Sequence, residues 1–251
     1  MSKKRRQLEN RNTNQVVSKR EKTMETYDLI IRFFQNGGPF MYPIALVLTL
    51  GLAIAVERWL VLSTSRRSNR RAFQSIMEQL KSANYATLIE SGRESAVPVQ
   101  RIVAAGLARF TQSRRREEIE SAMEEGVLEA LPRLEKRTQY LATLANVATL
   151  LGLLGTIIGL IAAFTAVAQA EPAEKATMLS SSISVAMNTT AFGLISAIPL
   201  LLLHALLQTR TAELVDSLEM AGVKVLNTLA EASQLPNRSR KSDTPREGVP
   251  A

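Results

Sequence analysis

Apolar and polar residues along this chain separate into long blocks. Three stretches are apolar nearly throughout: residues 40–56, 141–170 and 180–207. Each is close to or above the length of about 20 residues that a helix needs to cross a bilayer. Between and after them the pattern becomes amphipathic and strongly charged. The expected fold is therefore an all-α membrane protein with three transmembrane helices and long helical extensions. The expected divisions are a tail with an interfacial helix at 1–38, a first span at 39–63, a helical domain at 64–138, a second span at 139–170, a tight connection at 171–179, a third span at 180–207, a helix at 208–233 and a disordered tail at 234–251.

The second span, LATLANVATLLGLLGTIIGLIAAFTAVAQA, carries no charge. Its small residues run Ala142, Ala145, Thr149, Gly152, Thr156, Gly159, Ala163, Ala166, Ala170, in steps of three and four. At 100° per residue that series is one stripe. Gly155 lies beside it. The third span repeats the design with Ser182, Ala186, Thr190, Gly193 and Ala197. In lipid, apolarity gives helices no reason to associate, and small residues let backbones come close. Two small-faced helices are expected to pack on each other through Gly152, Gly155, Gly159 and Gly193, with Pro199 among the packing residues. Two readings of the hydroxyls stay open: Thr149, Thr156 and Thr190 line a wet pathway, or each bonds only a carbonyl one turn back.

The segments around the spans read as follows. Residues 1–23 are polar, with eight Lys/Arg against two Glu, and read as disordered. Translation is expected to begin at Met24. Residues 25–35 form a short interfacial helix, ended by Asn36-Gly37-Gly38-Pro39. Trp59 suits the membrane–water interface, and the adjacent Glu57 and Arg58 read as a snorkelling local ion pair. In the insert, residues 72–90 and 99–111 read as amphipathic helices, with breaks at Ser91-Gly92 and Pro98. Residues 114–138 read as a helix running straight into the second span, with a kink at Pro132. Residues 208–233 extend the third span, with Leu214, Leu218, Val225 and Leu229 ready to pair with residues 114–138 or with a neighbouring subunit.

Charge then sets the topology. Arg66, Arg67, Arg70 and Arg71 follow the first span, Arg133, Lys136 and Arg137 precede the second, and Arg210 follows the third, whereas 171–179 holds one Lys. The positive-inside rule places the insert and the C-terminus in the cytoplasm, the 171–179 loop outside and the N-terminus outside. The net charge of +8 is thereby explained by the membrane, and no nucleic-acid partner is expected.

The chemistry available is narrow. With no Cys and one His, neither a thiolate site nor a His-rich metal cluster can be built. There is no glycine-rich phosphate loop or nucleophile elbow, so neither an enzyme nor a cofactor is expected. No Asp, Glu, Lys or Arg lies inside the second or third span. Hydroxyls cannot hold and release a proton near neutral pH. If protons cross here, a titratable group must come from another chain. His204 is the one intrinsic group that titrates near neutrality, read either as part of a proton path or as an interface anchor. Asn188, one turn from Ser184, reads either as part of the same pathway lining or as a hydrogen-bonding group between helices or subunits. Pro199 interrupts the helix ladder, which partner helices or Ser196 can repair.

Three stretches carry a family resemblance: LLGLLGTIIG at 150–159, NTTAFGLISAIP at 188–199, and GGPFMYPI at 37–44 leading into a span that ends in Glu-Arg-Trp. Over roughly residues 25–233 the sequence resembles the MotA/TolQ/ExbB proton-channel family. Three spans resemble ExbB and TolQ, since MotA has four, and the Gly-Gly-Pro opening is most similar to ExbB. The resemblance implies a multi-pass pentamer in the bacterial inner membrane around the helices of an ExbD-like single-span partner, whose Asp carries the proton. Thr156 and Thr190 match the family's second- and third-span threonines and would line the lumen. A TonB-like protein would carry the force to outer-membrane import. A TolQ-like role in envelope maintenance and a non-conducting scaffold are the alternatives. The sequence departs from the family pattern at Thr149, where a Pro is usual, at Val185, where many members have Glu, and at His204-Ala205, in place of Tyr-Asn.

Overall fold

The computed structural model describes residues 33–34, 37–82 and 84–234. The readings made on the N-terminal tail, most of the interfacial helix and the C-terminal tail lie outside them. Among the described residues the chain is helical, with six helices: α1 Met41–Lys81, α2 Tyr85–Arg93, α3 Pro98–Gln112, α4 Arg116–Glu135, α5 Thr138–Gln169 and α6 Lys175–Gln234. Three stretches are long and apolar enough to cross a membrane: Met41–Lys81, Arg116–Gln169 and Lys175–Glu231. The expected all-α architecture with three candidate spans is therefore found among the described residues. By contacts the chain falls into two compact units, one of the chain up to Ala53 with Tyr140–Leu202, the other of Ile54–Gln139 with the chain from Leu203 on.

In the first unit the core is a seam of small side chains. Leu141, Ala145, Ala148 and Ala163 of α5 are buried, as are Ala186, Ala197 and Leu200 of α6. Large residues such as Leu150, Ile157, Ile161 and Phe164 point outward and are exposed. A soluble helix would bury them; a membrane helix leaves them to lipid or to other helices. The chain before α1 is drawn onto α6. Gly38 adopts φ +73°, a left-handed turn that glycine takes without a Cβ clash. The Thr189 hydroxyl donates to the Gly37 carbonyl at 2.6 Å. Phe33 and Phe34 meet Phe192 edge-on.

The second unit has an ordinary aliphatic core. Val99, Ile102, Val103 and Leu107 of α3 and Ile119, Met123 and Val127 of α4 are buried. Leu214, Leu218, Val225 and Leu229 of α6 are buried as well. A Cβ on Gly222 would stand 3.5 Å from Met123 Sδ, and Arg116 donates to Asn227 at 3.2 Å. The pairing of these α6 leucines and valines with the 114–138 helix thus occurs within the chain.

Four local expectations are corrected. Residues 72–90 are not one helix: α1 runs on to Lys81, and α2 begins at Tyr85. Ser82 ends α1 by donating its hydroxyl to the Gln79 carbonyl, and Asn84 stands at the N-cap position of α2. Gly92 does not break a helix. It lies inside α2, where a Cβ would press on Ala104 and the Gln100 carbonyl, so it is needed for close packing of α2 on α3. Residues 114–138 do not run straight into the second span. The chain turns at Lys136 and Arg137, and Arg137 adopts φ +67°. Finally, Glu57 and Arg58 are not a snorkelling pair. Arg58 is 4% exposed and donates to the carbonyls of Leu134 (2.5 Å) and Arg133 (3.4 Å). Those are the carbonyls that the end of α4 leaves without helical donors. Glu57 instead binds Arg137, whose Nη1 lies 2.5 Å and 2.7 Å from the two carboxylate oxygens. The α4–α5 break is thus held from α1 at both of its ends.

Candidate functional site

The seam between α5 and α6 brings the second- and third-span threonines together. At Gly152 a Cβ would lie 3.2 Å from Gly193 Cα, and at Gly193 it would lie 2.8 Å from the Ala148 carbonyl oxygen. Such distances leave no room for a side chain, so the two backbones approach as only glycine permits. Gly155 faces Thr189 and Phe40, and Gly159 faces Ala186. All four glycines therefore stand at the contact of α5 and α6 or beside it. Pro199 is on the exposed side of α6 and takes no part in this contact.

Because the backbones are close, the hydroxyls of Thr156 and Thr190 meet in a direct hydrogen bond. Thr190 Oγ1 also donates to the Gly152 carbonyl at 3.0 Å. Thr156 Oγ1 lies 3.2 Å from the same carbonyl and 3.5 Å from that of Ala186. Each hydroxyl has one hydrogen and two lone pairs. With the Thr190 hydrogen on Gly152 and the Thr156 hydrogen on Thr190, both donors are spent inside the seam. Lone pairs remain, on side chains that are half-buried. Thr156 thus reaches a carbonyl one turn back, as one reading expects, Thr190 reaches one across the seam instead, and the pair still presents acceptors.

The other candidates lie elsewhere. Thr149 is exposed and its hydroxyl donates to the Ala145 carbonyl at 3.1 Å, one turn back. The buried line of α5 runs through Leu141, Ala145, Ala148, Gly152 and Gly155, which puts Thr149 at its edge. Asn188 is half-buried in α6, and its side chain makes no hydrogen bond among the described residues. His204 belongs to the other compact unit, where its Nδ1 lies 3.0 Å from the Thr138 carbonyl. A carbonyl only accepts, so Nδ1 carries the hydrogen and the ring ties α6 to the start of α5. Ser196 does not repair the ladder at Pro199. Its hydroxyl is buried with no hydrogen-bond partner among the described residues. The carbonyl freed by Pro199 is that of Ile195, whereas a serine hydroxyl reaches back three or four residues, to Gly193 or Phe192.

Two residues escaped the sequence reading. Thr189 is 2% exposed and joins α6 to the turn before α1. The signal was its place between Asn188 and Thr190, but spacing alone gave no sign that Gly37 was its acceptor. Arg58 was misread because a charge near a span end is ordinarily solvated.

A family model described as the MotA/TolQ/ExbB proton channel family matches residues 94–220. That range holds α5, both threonines and the four glycines of the seam. No curated protein matches the chain.

Proposed function

Because the chain belongs to the MotA/TolQ/ExbB proton channel family, we propose that it is an ExbB-like channel subunit of a bacterial inner membrane, which with an ExbD-like single-span partner turns proton flow into work on a TonB-like protein. The observation that carries this reading is the Thr156–Thr190 pair in spans that contain no Asp, Glu, Lys or Arg, their one titratable side chain being His204, which is bonded to the Thr138 carbonyl away from the pair. A proton path needs a group that binds and releases protons, and neither hydroxyl can. The pair can solvate such a group supplied by another chain.

Its hydrogen bonding suits that task in two states. A protonated carboxyl arriving at the pair donates its hydrogen to an exposed threonine lone pair. A carboxylate needs a donor instead, and the nearest is the hydrogen that Thr156 gives to Thr190. Reorienting that one hydroxyl swaps acceptor for donor, without moving either helix. Charge-assisted bonds of this kind are about twice as strong as neutral ones, so the carboxylate can draw the hydroxyl across. Several copies, five in our reading, would surround the acidic helices, and the exposed face of α5 with Leu153, Ile157 and Phe164 is free for contact with neighbours or lipid.

Co-purification from the native membrane tests the reading. The expected companion is a single-span protein with an Asp in its membrane segment, together with a TonB-like protein. Isolation as an oligomer of this chain alone, under conditions that keep its helices intact, would leave a non-conducting scaffold as the better account. A Tol-type companion would assign the output to envelope maintenance.

A further inference from the structure

Where the first span ends, a groove of about 510 Å³ opens between α1, the start of α3 and the end of α4. One wall is Leu60 and Val61, both exposed apolar residues. It continues into a row of α1 hydroxyls that includes Thr64 and Ser68, one turn apart. The facing helices contribute two guanidinium groups, Arg101 from α3 and Arg133 from α4. No carboxylate lines the groove. Glu129 reaches Arg101 at 3.3 Å, but its side chain is 67% exposed. Arg101 Nε is buried and has no hydrogen-bond partner among the described residues. The Arg133 side chain makes no ion pair among them.

A groove with an apolar wall, hydroxyls and two under-paired guanidiniums fits an anion attached to something apolar. Its depth says which. From Leu60 to Ser68, α1 rises about 12 Å. The span is read as ending near residue 63, so the groove straddles that end, and the polar layer of a bilayer is about 5–7 Å thick on each side. An apolar wall on the span side with two guanidiniums on the facing helices matches a phospholipid better than a free anion, which has no use for Leu60 and Val61. Arginine is also the side chain suited to holding a phosphate with paired donors. We propose that this groove binds the headgroup of an anionic phospholipid, with Arg101 and Arg133 on the phosphate and the acyl chains along Leu60 and Val61. The assignment rests on the membrane reading of α1 and is independent of whether the chain conducts protons.

The chain carries its own reporter. Its single Trp, Trp59, precedes the groove residue Leu60 in α1, is 37% exposed and carries the Arg210 guanidinium 4.0 Å from its ring centre. The full chain is reconstituted in nanodiscs of phosphatidylcholine with a brominated quencher lipid, either brominated phosphatidylglycerol or brominated phosphatidylcholine. The site predicts that the anionic quencher acts at a mole fraction at least fivefold lower, from roughly fivefold per guanidinium engaged. Arg101→Gln with Arg133→Gln should bring the two quenchers level. Ala96→Phe fills the groove from an exposed position without touching the charges. It should do the same if the double variant fails to fold. Arg70→Gln with Arg71→Gln removes two exposed charges from the same helix outside the groove, and should leave most of the preference. Equal quenching in the parent, a preference that survives both groove variants, or an equal loss in the Arg70/Arg71 variant would each overturn the site. Full displacement of the anionic lipid by inorganic phosphate would reassign it to a free anion.

Discussion

Thr156 and Thr190 are worth little to stability and much to the proposed path. Each hydroxyl already has a carbonyl in reach, and valine keeps its shape. Thr156→Val or Thr190→Val should therefore leave the assembled complex intact while lowering ion-coupled activity at least tenfold, measured as uptake driven by the proton gradient. Activity near the parent level in both variants would remove the threonines from the path. Arg58 is the opposite case. It is buried and its guanidinium holds two backbone carbonyls at the end of α4. Arg58→Met keeps most of the packing and strands those carbonyls, so it should cost about 2 kcal/mol, the scale of a lost charge-assisted bond. A thermal melt of the purified protein reads that loss directly. Sequence patterning found the threonines because small residues at steps of three and four define a face. It could not find the acceptor of Arg58, which lies 75–76 residues away along the chain.

Among the elements, the three spans were legible in length and type because apolar runs of 17 or more residues admit little else. The helix ends were not. The α4–α5 break has no glycine to announce it, and Arg137 takes a left-handed φ of +67° there. A non-glycine residue in that region costs of the order of 1 kcal/mol. The ion pair with Glu57, nearly half exposed on both sides, returns only a fraction of that. Arg137→Gly should therefore be close to neutral in stability, whereas Arg137→Val, branched at Cβ, should destabilise by about 1–2 kcal/mol. If both variants melt alike, the turn is not held in the left-handed region. The α5–α6 seam makes a sharper demand. Gly193→Leu places a side chain where the Ala148 carbonyl and Gly152 Cα already stand. The helices must separate, the threonine pair must open, and activity should be lost together with several degrees of melting temperature.

For the whole molecule, the largest lesson of the sequence is an absence that composition shows plainly: the second and third spans hold no Asp, Glu, Lys or Arg. The structure places two hydroxyls together in that uncharged seam, with their hydrogens turned inward. What neither pattern nor a single chain supplies is the proton carrier, which on this account belongs to a companion helix. The most direct measurement is proton flux into liposomes holding this chain alone, then this chain with a single-span partner that carries a membrane carboxylate. The account predicts no flux above empty liposomes in the first case and gradient-driven flux in the second, lost when the partner's carboxylate is changed to an amide. Flux through the isolated chain would contradict it.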